Sequence, residues 1–281
     1  MRLMRVGLPG QERPAVLTPD GRVLDAGELV PDWSGATLDT ETLAAVATAL
    51  DELPEMPAGL RLGAPVARPG KVVCIGVNYA AHAAESAMDV PGEPVVFMKA
   101  SSTVVGPFDT VLIPRGSTKT DYEVELAAVI GRTARYLDSA EAGLACVAGY
   151  AVSHDVSERE FQLERGGQWD KGKSCETFNP LGPWLLTADE VLDPQRLGIR
   201  LWVNGEVRQA ADTGQMIFGV GEIVRYLSQF MVLEPGDVVN TGTPSGVALG
   251  YPDPKPYLQT GDVVEAEIDG LGRQRQEMSQ A

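Results

Sequence analysis

Asp121-Tyr122-Glu123-Val124-Glu125-Leu126-Ala127-Ala128-Val129-Ile130 starts with acids and ends as a run of apolar residues. Residues 122–130 read as a β-strand, in which side chains alternate, so Glu123 and Glu125 share one face while Val124 and Leu126 take the other. Two carboxylates about 7 Å apart on one strand repel each other unless they point to solvent or share a cation. Taken alone, a solvated face is the simpler explanation. A second apolar strand, residues 148–154, changes the balance because it delivers Asp155 at its end. Three carboxylates at strand ends around one opening supply the oxygen ligands that Mg²⁺ or Mn²⁺ prefer, with Ca²⁺ a third candidate. Zinc suits the chain less, since no Cys or His cluster is present. His154 precedes Asp155, should point to the opposite side, and reads as structural.

Working outward, further short strands rich in β-branched residues occur at 72–77, 95–98, 111–114, 199–203, 238–241 and 263–268. Val203-Asn204-Gly205-Glu206 predicts a hairpin, because Asn-Gly accepts the positive φ angles of a type I′ turn. Helical patterns are few, at 79–88, 157–165 and 220–230. The absence of regular strand–helix alternation argues against a Rossmann sheet or a TIM barrel, leaving an α+β fold with a mixed sheet. Residues 1–66 read as a small N-terminal α+β domain and residues 67–281 as the main one. The small unit has a strand at 1–8, a hairpin around Pro19-Asp20-Gly21 and a helix over 40–53 stopped by Pro54. A Gly/Pro/Ala-rich stretch, 57–70, forms the crossing.

Of 281 residues, 39 are acidic and 23 basic, giving a formal net charge of −16. Such a surface repels phosphate backbones and anionic lipid, so neither nucleic acid nor membrane is expected as a partner. No apolar run approaches the roughly 20 residues that span a bilayer, and the first ten residues lack a secretory pattern. A cytoplasmic location follows as the expectation. Cys74, Cys146 and Cys175 are too few and scattered for a disulfide framework or zinc knuckle.

Proton transfer and substrate binding need other side chains. A helix at 79–88 puts His82 and Glu85 on one face at i, i+3. A carboxylate holding one imidazole nitrogen orients the other to take a proton from water. Arg159 and Gln162 return to one side of a helix start after Asp155, and Lys173 follows; Arg and Lys suit a substrate carboxylate or a developing oxyanion. Gly167 to Ser174 spells the G-x-x-x-x-G-K-S pattern of a phosphate loop, but no apolar strand precedes it and Asn179-Pro180 and Gly182-Pro183 break any long helix after it. Gly242-Thr243-Pro244-Ser245-Gly246 is a glycine-rich loop after a strand, suited to holding a carboxylate through its amides and the Thr243 hydroxyl.

Ile75-Gly76-Val77-Asn78-Tyr79 with His82 and Glu85, Phe97-Met98-Lys99, the Asp121–Leu126 run, Asp155-Val156-Ser157 with Arg159, residues 166–174, Val203 to Glu206 and Asn240 to Gly246 follow one another in an order that resembles the fumarylacetoacetate hydrolase family. The likeness spans about residues 71–272. It implies a mixed β-roll, β-sandwich-like catalytic domain, usually a homodimer. It places metal carboxylates on Glu123, Glu125 and Asp155 and an acid/base pair on His82 and Glu85. It puts substrate contacts on Arg159, Gln162 and Lys173, and further pocket positions on Lys99 and Thr243. Cys175-Glu176 departs from the aromatic–acidic pair more usual in relatives.

The function this implies is a divalent-metal-dependent hydrolase that cleaves a C–C bond in an acylpyruvate-like 3-acyl-2-oxo acid, with Lys173 beside the departing enolate. Oxaloacetate-type decarboxylation, and isomerisation or hydration of hydroxymuconate-type 2-oxo acids, use the same parts. In each case the partner is a small 2-oxo acid.

Overall fold

The frame of the computed structural model, which describes residues 1–281, is a mixed sheet of ten strands. Across it lie Val23–Asp25, Arg13–Leu17, Arg2–Val6, Leu185–Thr187, Val147–His154, Val124–Ile130, Val238–Asn240, Val72–Gly76 and Val95–Lys99, with Leu62–Gly63 also paired to Arg2–Val6. Neighbours are antiparallel except Val238–Asn240, which runs parallel to Val72–Gly76. Because Arg2–Val6 pairs with Leu185–Thr187, one sheet continues from the first 66 residues into the rest of the chain. A second sheet of five strands orders Glu206–Asp212, Gly198–Val203, Val263–Ile268, Gly272–Gln280 and Val111–Ile113. The result is the α+β, β-roll type of architecture that the sequence implies, with few helices and no closed barrel.

Alternation along the central strands sorts their side chains between two cores. Val124, Leu126, Ala128 and Ile130 join Tyr150, Val152, Val73 and Ile75 in a core closed by the five-stranded sheet and the helix Val220–Leu227. Ala127 and Val129, with Ala151, Val72 and Cys74, face the other way, onto Trp33, Leu38 and Val46 of the N-terminal unit. Trp33 is sealed there, its indole N–H donating 3.0 Å to the Ala15 carbonyl. Glu125 belongs to this second face by parity, and so does Asp155 on the neighbouring strand, so the acidic cluster sits where the N-terminal cover ends.

Several local expectations are shifted. The regular strand starts at Val124, since Thr120–Asp121 pairs separately with Ser157–Glu158 and leaves Tyr122 and Glu123 between two ladders. That pairing also replaces the start of the helix expected at 157–165. Glu158 is fully buried, accepting 3.0 Å from the Thr120 hydroxyl, and only a π-helical turn, Glu160–Glu164, follows before Gly166 and Gly167. The helix expected at 40–53 is Thr40–Ala49, capped by Asp39, with a 3₁₀ turn at Leu50–Glu52. The helix expected at 79–88 is Ala80–Glu85, ended by Ala87 at φ 52°. The 203–206 hairpin forms as read, with Asn204 at φ 52° and Gly205 at φ 80°. Gly272–Gln280 was not evident because its inward positions include Gln274 and Gln276 rather than apolar residues.

His154 points away from Asp155, into the contact with this polar strand. Gln276 donates 2.6 Å to the Pro107 carbonyl and 2.9 Å to Gln274 Oε1, so its own oxygen is left to accept from His154 Nδ1 at 3.0 Å. The ring is therefore a neutral Nδ1–H tautomer, and its Nε2 is buried without a partner. Burial pushes its pKa down to about 4. An unfolded His protonates near 6.5, so between about pH 6.5 and 4 the unfolded chain binds the extra proton and stability falls as the solution is acidified. Urea unfolding of metal-free protein at pH 7 and pH 5 should show a loss that is smaller by about 2 kcal/mol in His154→Gln than in the unaltered chain. An identical loss in both would mean that the imidazole does not titrate as this packing requires.

Candidate metal and acid/base site

Glu123, Glu125 and Asp155 are all buried, and one oxygen from each lies within 4.8 Å of the others. The backbone enforces this closeness: the Asp155 N–H donates 2.9 Å to the Glu123 carbonyl where the two strands meet. The donor set is all hard oxygen, which fits Mg²⁺, Mn²⁺ or Ca²⁺ better than a thiophilic ion.

Cations ring the triad from outside. Lys173 Nζ donates 2.6 Å to Glu123 and 2.8 Å to Asp155. Arg159 spreads its guanidinium over three partners, giving Nε to Asp121 at 2.8 Å, one terminal nitrogen to Glu123 at 2.5 Å and the other to the Gln162 side-chain oxygen at 2.9 Å. The Gln162 amide nitrogen is left without a protein acceptor. Glu125 receives no cation, only the Gly242 N–H at 2.8 Å. The three acids consequently differ. Burial raises the Glu123 pKa, but the charges of Lys173 and Arg159 outweigh it and hold the group well below the usual carboxylate range. Burial and the neighbouring Asp155 and Glu123 push Glu125 well above that range.

His82 faces the same cavity as Glu123, Glu125, Arg159, Gln162 and Lys173, a space of about 410 Å³ including its open mouth. Its Nδ1 is 2.8 Å from Glu85 Oε1, and the Gly246 N–H donates 2.8 Å to the second Glu85 oxygen. The dyad helix is thus fastened to the loop that also contacts Glu125. In that loop Gly242 sits at φ 99°, and a Cβ there would lie 2.6 Å from the Asn78 Cβ.

Of the two further pocket positions, Thr243 lines the cavity and Lys99 does not. Lys99 does not line the cavity: fully buried, it is bonded to Asp155 from behind and donates 3.1 Å to the Val156 carbonyl. A cation placed there neutralises a carboxylate of the triad from outside the cavity. Thr243 does line the cavity, but its hydroxyl donates 2.9 Å to the Val124 carbonyl and accepts 2.8 Å from Gln209, so it braces the strand. The glycine-rich loop likewise holds the protein's own Glu125 and Glu85 rather than an outside carboxylate. Lys173 is engaged with the triad, and the four-residue helix Asp170–Lys173 has no strand leading into it, which disposes of the phosphate-loop pattern. Cys175 contributes nothing to the wall; its thiol is 3.5 Å from the Lys171 carbonyl.

Two further residues hold the site. Asp121, fully buried, orients Arg159 and accepts from the Ala248 and Leu249 N–H groups at 2.7 and 3.0 Å. Asn78 donates to the carbonyls of Thr241 (2.7 Å) and Phe218 (3.0 Å) and accepts from the Phe218 N–H (2.8 Å), tying the dyad segment to the metal-side loop. Val77 beside it is β-branched yet adopts φ 55°, a strained conformation that such a clamp sustains. The acidic residue at the head of the 121–126 run was visible in sequence; Asn78 carried no signal beyond its place in a motif.

A mixed two-sheet fold with a buried carboxylate triad and an adjoining imidazole–carboxylate dyad defines a class of enzymes. The chain belongs to the fumarylacetoacetate hydrolase family, whose model for the fumarylacetoacetate (FAA) hydrolase C-terminal region matches residues 71–279. A curated Burkholderia multivorans protein is 52% identical over 278 residues, covering 98% of each chain, and its name carries no substrate. Maleylpyruvate hydrolase from Sphingobium sp. SYK-6, solved with manganese(II) and pyruvate, is 31% identical and superposes at a TM-score of 0.83 over 100% of both chains. The 5-carboxymethyl-2-hydroxymuconate delta-isomerase of Mycobacterium smegmatis is also 31% identical, with a TM-score of 0.79 over 100% of this chain and 99% of that one. No helix is long and apolar enough to cross a membrane.

Glu125→Gln copies the protonated form of a residue that burial and two neighbouring acids already drive toward it. In chelator the variant's Tm should equal or exceed that of the unaltered protein, whereas the rise in Tm on adding Mn²⁺, several degrees in the latter, should vanish. A variant that kept the full Mn²⁺ response would remove Glu125 from the ligand set.

Proposed function

We propose that the chain is a divalent-metal-dependent hydrolase that cleaves the C–C bond of a 3-acyl-2-oxo acid of the acylpyruvate type, using Mg²⁺ or Mn²⁺. The observation that carries this reading is His82, oriented by Glu85, opening onto the same cavity as Glu123, Glu125 and Lys173, with Asp155, the third hard carboxylate, bonded to Lys173 at 2.8 Å. Glu123, Glu125 and Asp155 would hold the cation, which supplies Lewis-acid polarisation to an adjacent pair of substrate oxygens.

The remaining chemistry falls to the chain's own side chains. Gln162 has a free amide N–H for the substrate carboxylate, and Arg159 fixes that amide by bonding to its oxygen. His82, with Nδ1 engaged by Glu85, uses Nε2 to take a proton from water. Hydroxide adds to the distal carbonyl, the C–C bond breaks, and its electron pair passes into the 2-oxo fragment as an enolate. The Lys173 ammonium lies beside that developing charge. The imidazolium then returns its proton to the enolate carbon, leaving a 2-oxo acid and a carboxylic acid.

The same dyad moves a proton between two carbons without any water, and the likeness to a hydroxymuconate isomerase supports that as the second reading. Product analysis separates the two. NMR of a Mg²⁺ or Mn²⁺ assay on acylpyruvates, oxaloacetate and hydroxymuconates should show pyruvate plus a carboxylic acid from the first group. His82→Ala should lower kcat by about 10²–10⁴-fold while keeping the Mn²⁺-induced rise in Tm. Full turnover in that variant, or no turnover of any acylpyruvate by the unaltered enzyme, would defeat the proposal.

A further inference from the structure

Resting on that reading and refining it, we infer that the substrate's acyl arm is uncharged and apolar, so that the enzyme takes monocarboxylic acylpyruvates in preference to diacids. The cavity's apolar wall includes Val77, Met88, Phe97, Leu163, Trp169 and Leu249. Phe97 and Trp169 pack with ring centroids 5.4 Å apart, and Trp169 leans so closely on the strand end that a Cβ on Gly76 would meet its ring at 2.6 Å. This is a surface for hydrocarbon.

The charges around the cavity exclude a second substrate carboxylate more firmly than the apolar wall does. Apart from the His82 imidazole, only two cationic side chains line the space, and both are committed: Arg159 to Asp121 and Glu123, Lys173 to Glu123 and Asp155. Lys99 is sealed behind Asp155. On the wall that bears Leu163, Arg165 turns to Glu160 at 2.6 Å and stacks over Phe161 at 4.4 Å, while Lys171 is bonded to the Arg165 carbonyl. Next to the lining residues in the chain, exposed Asp89 follows Met88, and exposed Glu164, which follows Leu163, is already paired with Lys119. A distal carboxylate would therefore leave water for a place whose nearby cations all have partners already, which is costly. An alkyl arm of the same shape gains from burial, about fourfold in kcat/KM for each additional methylene covered.

The test compares two acylpyruvates of matched shape at saturating Mg²⁺, one with a 4-methylpentanoyl arm and one with a succinyl arm, whose terminal carboxylate replaces the isopropyl group. The alkyl substrate should be favoured at least tenfold in kcat/KM, and Leu163→Arg, a change at a partly exposed site, should raise kcat/KM for the succinyl compound about tenfold. Equal or better cleavage of the succinyl compound by the unaltered enzyme overturns the inference and leaves the hydrolase reading intact. An unchanged preference in a folded Leu163→Arg variant also overturns it, by placing the arm elsewhere. Failure to cleave either compound removes the hydrolase reading itself.

Discussion

Three carboxylates share one buried volume, and much of the molecule is arranged to make that tolerable. At separations of up to 4.8 Å each pair of unit charges repels by about 3 kcal/mol or more, even at an effective dielectric near 20. Lys99 and Lys173 grip Asp155 from two sides, and Arg159 with Lys173 grips Glu123. Glu125 is left with a single backbone donor. The chain thus pairs two of its three acids with cationic side chains and leaves the third, Glu125, with none. Asp121 extends this logic outward, since it balances Arg159 and is in turn held by three backbone N–H groups.

The rigidity of the arrangement comes from the sheet. Strand alternation sends one set of side chains into the larger core and the other set, with Glu125 and Asp155, to the opposite face. A slip of one residue in register between Val124–Ile130 and Val147–His154 would turn the acids into the apolar core and His154 into the site. The register is therefore fixed by hydrophobic burial along the whole strand pair, and the polar site inherits its precision from apolar packing beneath it. Asn78 does the corresponding work for the dyad, where no ladder is available.

What could be read from the sequence was whatever follows from period and from short spacing. The Glu-x-Glu alternation, Asp155 at the end of an apolar run, the His82–Glu85 step and the Asn-Gly hairpin are local patterns, and each forms. The convergence of distant segments was accessible only through the order of motifs. What stayed hidden depends on tertiary partners. Lys99 sits on a strand whose period does not tell front from back, so its place behind Asp155 rather than in the pocket follows only from the fold. The helix expected after Asp155 gave way to a short strand and a π turn because Thr120–Asp121, far upstream, offers a ladder. Gly272–Gln280 escaped notice because buried Gln276 finds its partners in Gln274, Pro107 and His154, a possibility that hydrophobic patterning does not register.

The seam between Arg2–Val6 and Leu185–Thr187 has a bearing on how the protein is made. The first strand leaves the ribosome long before its inner neighbour exists; at ordinary elongation rates the wait is roughly ten seconds or more. During that interval the early hairpin presents an open hydrogen-bonding edge, a surface that invites pairing with another nascent copy. The parallel join of Val72–Gly76 with Val238–Asn240 closes later still. Both seams put distant parts of the chain side by side, so the sheet that frames the acidic triad is completed only after most of the polypeptide has been synthesised.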